Sequence, residues 1–122
     1  MLTLICGLPN AGKTTYSERF SGVIHQEDTH DYDLCCYRAS QVQGNVCVDG
    51  IFERAEQRRM LIEQCRHQHP KVCIWLDTPL EECVERERNY RKRPVGTIHL
   101  INSLWERPTH EEGWDEVIHI KG

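Results

Sequence analysis

Short runs of apolar, partly β-branched residues alternate along the chain with longer segments in which apolar residues recur every three or four positions. The short runs predict strands, and the longer segments predict helices. The predicted strands are 2–6, 23–26, 45–49, 71–76 and 116–120, and the predicted helices are 13–20, 52–68, 79–90 and 97–105. Because continuous apolar strands that alternate with helices are buried on both faces, the pattern indicates an α/β fold with a parallel sheet between helical layers.

The second and third predicted helices have identifiable faces and ends. The inner face of the second helix is predicted to carry Phe52, Ala55, Arg59, Ile62 and Cys65. His69-Pro70 is expected to stop this helix. Asp77-Thr78-Pro79 is expected to cap the third helix, because Asp or Thr can accept hydrogen bonds from the first free amides and proline suits the first turn.

Composition and charge narrow the classes of function. The 122 residues suffice for one domain, and no apolar run approaches the ~20 residues that a membrane span needs. The net charge of −4 gives no overall positive field for nucleic acid or a membrane surface, so a polyanion would need a local basic patch. The seven cysteines fall largely at strand and helix positions, so we expect buried, reduced thiols, which are typical of a cytoplasmic protein.

Residues 7–14, Gly-Leu-Pro-Asn-Ala-Gly-Lys-Thr, match the phosphate-binding pattern G-x-x-x-x-G-K-[ST] between a strand and a helix. Glycines let the backbone wrap around a phosphate, and the helix N-terminus adds free N–H groups and a positive dipole end. Lys13 can reach the β- and γ-phosphates of ATP, and the Thr14 hydroxyl can ligate Mg²⁺. The residues predicted to bind the nucleotide are Gly7, Pro9, Asn10, Ala11, Gly12, Lys13, Thr14 and Thr15.

The loop alone does not distinguish a kinase from a GTPase, a transport ATPase or a regulatory switch, so two nearby acids matter. Asp49 ends the third strand, where a carboxylate can hold Mg²⁺ through water or fix the loop threonine; the alternative is a capping role in a turn. Asp28 follows the second strand, at the edge where parallel sheets bind ligands. The alternative for Asp28 is a solvated acidic loop, since Glu27, Asp31 and Asp33 lie beside it.

The basic run 86–94 is expected to form a short lid over the nucleotide. Guanidinium groups in such a lid can clamp a phosphoryl group during its transfer. The alternative is a solvated helix end, in which Glu85 and Glu87 pair with some of these arginines.

Nearly the whole chain, in the order of its motifs, resembles the small P-loop kinases related to phage polynucleotide kinase, zeta-type toxins and the seryl-tRNA kinases. The segments that carry the resemblance are GLPNAGKTT (7–15), HQEDTHDYD (25–33), NVCVDG (45–50), CIWLDTPLEECVERERNYRKRP (73–94) and WERPTHEEGWDEVIHI (105–120). The resemblance implies a three-layer P-loop NTPase fold with sheet order 2-3-1-4-5 and ATP-dependent transfer of the γ-phosphate to an alcohol. It also implies that Asp28 accepts the proton of the attacking hydroxyl.

The lid of the resembled kinases begins with a Cys-x-x-Arg pattern and carries a second arginine four residues later. Cys83 and Arg86 match the beginning, but position 90 is Tyr. The resemblance therefore assigns one phosphate contact to Arg86 and leaves the second to Arg91 or Arg93.

The chain departs from these kinases between Asp28 and the third strand, where about sixteen residues remain. We expect almost none of the helical segment that binds the acceptor in polynucleotide kinases. Either the acceptor site is open, or it needs a second subunit in a homo-oligomer. The shortfall also fits a nucleotide binder without catalysis.

Two other groups of residues favour packing over chemistry. Cys65, His67 and His69 have metal-binding side chains, but they lie at a predicted helix C-terminus and no fourth ligand is evident. Cys35 and Cys36 are likewise expected to pack rather than to undergo redox reactions.

The sequence thus predicts a single P-loop kinase domain over residues 1–122 that uses ATP and Mg²⁺ and has no membrane partner. The acceptor expected first is a polynucleotide 5′-hydroxyl. The alternatives are an ATP-binding switch or weak ATPase without an acceptor, or a kinase of a nucleoside, a small alcohol or an aminoacyl-tRNA.

Overall fold

Five parallel strands form one sheet that runs through the molecule. The computed structural model describes residues 1–122, with strands β1 (Leu2–Cys6), β2 (Ile24–His25), β3 (Val46–Gly50), β4 (Lys71–Asp77) and β5 (Glu116–Lys121). Their order is β2-β3-β1-β4-β5, and every neighbouring pair is parallel. The expected sheet order is confirmed, and the carboxyl ends of all five strands lie at one edge of the sheet.

Six α-helices connect and cover the strands. They are α1 (Lys13–Ser17), α2 (Gln26–Thr29), α3 (Tyr32–Ser40), α4 (Ala55–Gln64), α5 (Leu80–Tyr90) and α6 (Thr97–Ser103), and a 3₁₀ turn follows at His110–Glu112. Four of the α-helices lie where the apolar pattern predicts them, and each is shorter than predicted. None is long and apolar enough to cross a membrane.

The segment between Asp28 and β3 contains α3, a helix that the apolar pattern did not predict, and α2 begins two residues before Asp28. Asp31 starts α3, since its carboxylate accepts hydrogen bonds from the amides two and three residues later, at 2.9 and 3.2 Å. Cys35, Cys36 and Ala39 on the inner face of α3 are completely buried. The helix therefore covers the β2–β3 side of the sheet and packs against α4.

Two apolar layers pack against the sheet. One contains side chains from α3 and α4, and the other contains side chains from the phosphate-binding loop, α5 and α6. All seven cysteines are free and buried, so the expected burial of the thiols is confirmed. Burial raises the pKa of Cys35, Cys36 and Cys47 to about 12, so these thiols stay protonated at neutral pH.

The inner face of α4 carries Arg58, and not the predicted Arg59. Arg58 is completely buried, and Arg59 is exposed. The Arg58 guanidinium donates two hydrogen bonds to the Glu112 carboxylate, at 2.8 and 2.9 Å, and two more to the carbonyl oxygens of Phe52 and Glu106. Because these bonds satisfy the buried charge, the pair fastens α4 to the segment before β5 without leaving an unpaired ion.

Candidate functional site

The phosphate-binding loop, residues 7–15, follows β1 and includes the first residues of α1. Asn10 and Gly12 have φ angles of 68° and 99°, in the left-handed region. Gly7 has a different purpose, because a Cβ atom there would lie 2.7 Å from the carbonyl oxygen of Leu76 in β4. Gly7 therefore lets the loop pass close to the neighbouring strand, and Gly12 supplies the turn into α1.

The start of α1 presents backbone donors that the protein itself does not use. The amide N–H groups of residues 12–15 have no hydrogen-bond acceptor within the protein. This is the geometry expected for a site that binds an anion, because the N–H groups converge at the positive end of the helix dipole.

Lys13 lies in the same loop and is 6% exposed. Its Nζ donates hydrogen bonds to the carbonyl oxygens of Gly7, at 2.9 Å, and Leu8, at 2.8 Å. Burial lowers the pKa of Lys13, whereas the carboxylates of Glu27 and Asp49 oppose this shift. The two acids therefore provide negative charge on the same side as the lysine, where the cleft opens.

Residues around α5 hold the loop in place from the other side. Thr78 donates its hydroxyl hydrogen to the carbonyl oxygen of Ala11 at 2.8 Å. The sequence predicted that the 77–79 segment caps α5 through Asp or Thr. This prediction is wrong, because the N-cap residue is Pro79 and no side chain caps the helix. Arg86 donates to the carbonyl oxygen of Asn10 at 2.6 Å. The loop tip is thus fixed to α5 through its backbone.

A polar cleft of about 860 Å³ opens above the loop at the carboxyl edge of the sheet. It brings together residues 10–15 of the loop and four of the other predicted site residues, which are Asp28, Asp49, Arg86 and Arg93. Gly7, Pro9 and Arg91 do not line the cleft.

Asp49 occupies the end of β3 at the floor of the cleft and is 4% exposed. Its Oδ1 accepts a hydrogen bond from Nδ1 of His25 at 2.9 Å, and its buried Oδ2 has no partner. A buried carboxylate oxygen without a partner fits a cation ligand, and the Thr14 hydroxyl lies in the same cleft. No group of three or more His, Cys, Asp or Glu side chains surrounds a common position. Mg²⁺ would therefore need the phosphate oxygens of a nucleotide, in addition to protein ligands.

Glu27 and Asp28 both line the cleft, but their surroundings differ. Oε1 of Glu27 accepts a hydrogen bond from Arg93 at 3.2 Å. Asp28 is exposed, and its carboxylate has no hydrogen-bond partner in the protein. Glu27 is therefore paired with Arg93, whereas the Asp28 carboxylate is open to the cleft.

The two candidate lid arginines also have different positions. Arg93 donates to Glu87 at 2.8 Å and to Glu27, so its side chain connects α5 to α2. Arg91 adopts a left-handed conformation at the end of α5, where its side chain donates a single hydrogen bond, to the carbonyl oxygen of Arg88. Of the two, Arg93 is the one that the fold brings to the cleft.

Glu87 connects the end of α5 to the phosphate-binding loop. Burial alone would raise its pKa, but hydrogen bonds from Arg93, Asn10 and the amides of Arg93 and Lys92 lower it to about 2. Its Oε1 accepts from the Asn10 amide at 3.0 Å. Glu87 therefore stays ionised and holds Lys92 and Arg93 next to the phosphate-binding loop.

His25, Glu27 and Glu87 belong to the site although the sequence patterns did not predict them. In the sequence, Glu27 stands out only as the neighbour of Asp28, and Glu87 only as a residue within the predicted basic run 86–94. For His25 the one available signal was its place at the end of the second predicted strand, beside the acidic loop.

No protein-family model and no curated protein matches the sequence. Solved structures match its fold. Kti12 from Chaetomium thermophilum, in complex with ADP-AlF3, has a TM-score of 0.76 at 16% identity, with 99% of this chain and 89% of that chain covered. A sugar kinase from Janibacter sp. has a TM-score of 0.66 at 13% identity, with 98% and 84% covered.

Shikimate kinase from Acinetobacter baumannii, in complex with shikimate, has a TM-score of 0.60 at 14% identity, with 96% and 82% covered. At such identities the likeness is one of fold. The sheet order and the loop between β1 and α1 define this chain as a three-layer α/β protein with the P-loop NTPase fold.

Proposed function

We propose that this protein is an ATP-dependent kinase, which transfers the γ-phosphate of ATP to a hydroxyl group of an acceptor. The observation that carries the proposal is the loop itself: Lys13 lies beside unpaired N–H groups and faces the acids Glu27 and Asp49. A phosphate cradle that faces carboxylates across a cleft has the parts that in-line phosphoryl transfer needs. Residues 1–122 would act as one domain, with 86–94 as its lid.

In this proposal the loop binds the β- and γ-phosphates through the N–H groups of residues 12–15 and the Lys13 ammonium. Lys13 would exchange its bonds to the carbonyl oxygens of Gly7 and Leu8 for bonds to phosphate. Thr14 and Asp49 would hold Mg²⁺, which neutralises phosphate charge when bound.

The acceptor would enter from the β2 side. Asp28 would orient its hydroxyl and take its proton, because its carboxylate is free and lines the cleft. Arg86 and Arg93 would bind the phosphoryl group during transfer. Arg93 would release Glu27 for this contact. Arg86 would release Glu82 or the carbonyl oxygen of Asn10. Arg91 could take this part only if the end of α5 rearranged.

We further propose that the acceptor is a polynucleotide 5′-hydroxyl. Arg19 lies 4.1 Å above the ring of Tyr16, and both line the cleft together with Lys92. Arg19 and Lys92 add positive charge beyond the groups proposed to bind the triphosphate, so they could bind the phosphates of a nucleic acid. The Tyr16 ring beside them could stack on a base. A nucleoside, a small alcohol and an aminoacyl-tRNA are the other acceptors that a kinase of this fold could use.

One observation favours a second candidate function, an ATP-binding switch or weak ATPase. Arg93 is neutralised by Glu27 and Glu87, and Lys13 is held by loop carbonyls. A bound nucleotide would replace these contacts of Lys13 and Arg93. The conformation of the lid could then change with nucleotide binding even when no acceptor is present.

A screen with ATP labelled at the γ-phosphate distinguishes the two functions. The acceptors are 5′-hydroxyl DNA and RNA oligonucleotides, nucleosides and small alcohols, and a 5′-phosphorylated oligonucleotide is the matched control. Label on the 5′-hydroxyl oligonucleotides alone supports the proposal. Label on another acceptor corrects the acceptor class, and hydrolysis or binding alone favours the switch.

Replacing Arg93 is expected to slow transfer much more than it weakens ADP binding. Arg93→Gln should lower the transfer rate by about 10- to 100-fold, since a charge-assisted hydrogen bond to the phosphoryl group is lost. ADP lacks the γ-phosphate, so its affinity should stay within about threefold. Single-turnover kinetics and calorimetry measure the two quantities.

Arg91→Gln is the matched control, because it removes the same charge two residues away and outside the cleft. It should leave both quantities nearly unchanged. If Arg91→Gln slows transfer and Arg93→Gln does not, the lid assignment is wrong.

A further inference from the structure

His25 and Asp49 are direct neighbours in the sheet, because β2 pairs with β3 in a register that places them side by side. Nδ1 of His25 lies 2.9 Å from Oδ1 of Asp49. An ionised carboxylate can only accept, so Nδ1 carries the hydrogen and donates it. Both residues line the cleft.

The two oxygens of Asp49 have different surroundings. Oδ1 receives the bond from His25, whereas Oδ2 is buried and has no partner. Leaving a carboxylate oxygen buried and unpaired costs free energy, so Oδ2 is expected to gain a partner when a ligand fills the cleft. Only the side chain of His25 holds the carboxylate in this orientation.

We propose that His25 is a positioning residue for the metal of the nucleotide complex. Its bond to Oδ1 fixes the rotation of the Asp49 carboxylate, and Oδ2 is thereby presented to Mg²⁺ or to a water bound to it. This inference rests on the proposed nucleotide-binding function. It uses only the Nδ1–H donor of His25 and needs no change in its protonation.

The physical reason is the softness of the last torsion of aspartate. Rotation about this bond has broad, shallow minima, so an Asp49 carboxylate without a hydrogen-bond partner would sample many orientations. Hydrogen bonds to the ligands of a metal typically change metal affinity by about 10- to 100-fold. Loss of the bond from His25 should therefore weaken Mg²⁺ binding and leave the metal-free phosphate contacts intact.

Two variants of His25 separate its ring nitrogens. In His25→Asn the side-chain amide nitrogen lies where Nδ1 lies and can still donate to Asp49. In His25→Gln the amide reaches the position of Nε2, and the donor at Nδ1 is lost. Both side chains are polar and small enough for this half-buried position, and circular dichroism checks that both variants fold.

The measurement is ADP binding by calorimetry, in EDTA and over a series of Mg²⁺ concentrations. The quantity compared is the Mg²⁺ concentration that gives half of the maximal increase in ADP affinity. His25→Gln should raise this concentration by about 10- to 100-fold, and His25→Asn should keep it within about threefold of the wild-type value. The affinity for ADP in EDTA should be the same in all three proteins.

An unchanged response to Mg²⁺ in His25→Gln overturns the inference. So does a loss in His25→Asn alone, which would assign the role to Nε2. If the wild type binds ADP with no response to Mg²⁺, the inference fails and nucleotide binding stands. If the wild type binds no ADP at all, the proposed function fails, and this inference falls with it.

Discussion

Lys13→Met is expected to weaken ATP and ADP binding by at least about 100-fold, because the ammonium group would make charge-assisted hydrogen bonds to the phosphates. Methionine keeps the unbranched stem that packs in the loop, so the change removes the charge with little change of volume. Calorimetric titration measures the affinity. Lys121→Met, at an exposed site at the end of β5, is the matched control for loss of one positive charge.

The structure changes what is expected of stability in this variant. A lysine that pointed only at a ligand would be nearly neutral for folding. Lys13 instead donates to the carbonyl oxygens of Gly7 and Leu8, and both would lose a partner. We therefore expect the free energy of unfolding to fall by about 1–3 kcal/mol, which urea denaturation measures. A folded Lys13→Met protein with wild-type affinity would contradict the phosphate-binding role.

Asp28→Asn is expected to slow phosphoryl transfer by at least about a hundredfold while ATP affinity hardly changes. A carboxylate that accepts the hydroxyl proton contributes typically 10²- to 10⁴-fold, or about 3–5 kcal/mol of the barrier. Asparagine keeps the shape and removes the proton acceptor. The transfer rate at saturating ATP and the ATP affinity, measured separately, give the two quantities.

Glu27→Gln should change the ATP affinity rather than the rate of transfer, because Glu27 contacts Arg93 and favours the charged form of Lys13. Removing this internal anion should strengthen ATP binding by several-fold, since the phosphates no longer compete with it. Asp33→Asn is the better neutral control in this loop, because Asp31 starts α3 and its loss would also affect folding.

Two outcomes would revise the acceptor site. If Glu27→Gln abolishes transfer and Asp28→Asn is silent, the proton acceptor is one residue earlier than the sequence predicts. If neither matters, the acceptor is not held at this edge, and the ATP-binding switch becomes the better account.

The strands and the phosphate-binding loop were predictable because local sequence encodes them. Five apolar runs mark the strands, and the spacing of Gly7, Gly12 and Lys13 marks the loop between the first strand and the first helix. α3 was not predictable in this way. Its buried face consists only of the small residues Cys35, Cys36 and Ala39, which do not form a clear apolar pattern among their polar neighbours. Its start depends on a single capping aspartate.

The sequence by itself determined the sheet, the loop and the kind of ligand that the loop suits, since apolar periodicity and glycine spacing act over a few residues. Only the tertiary structure decided between charged residues that are close in the sequence: Arg58 over Arg59 in the interior, and Arg93 over Arg91 at the cleft. The partner of Arg93 at the acceptor side is 66 residues away in sequence. Neighbouring residues with the same charge have the same local preferences, so the choice falls to the distant groups that can pair with one of them and not with the other.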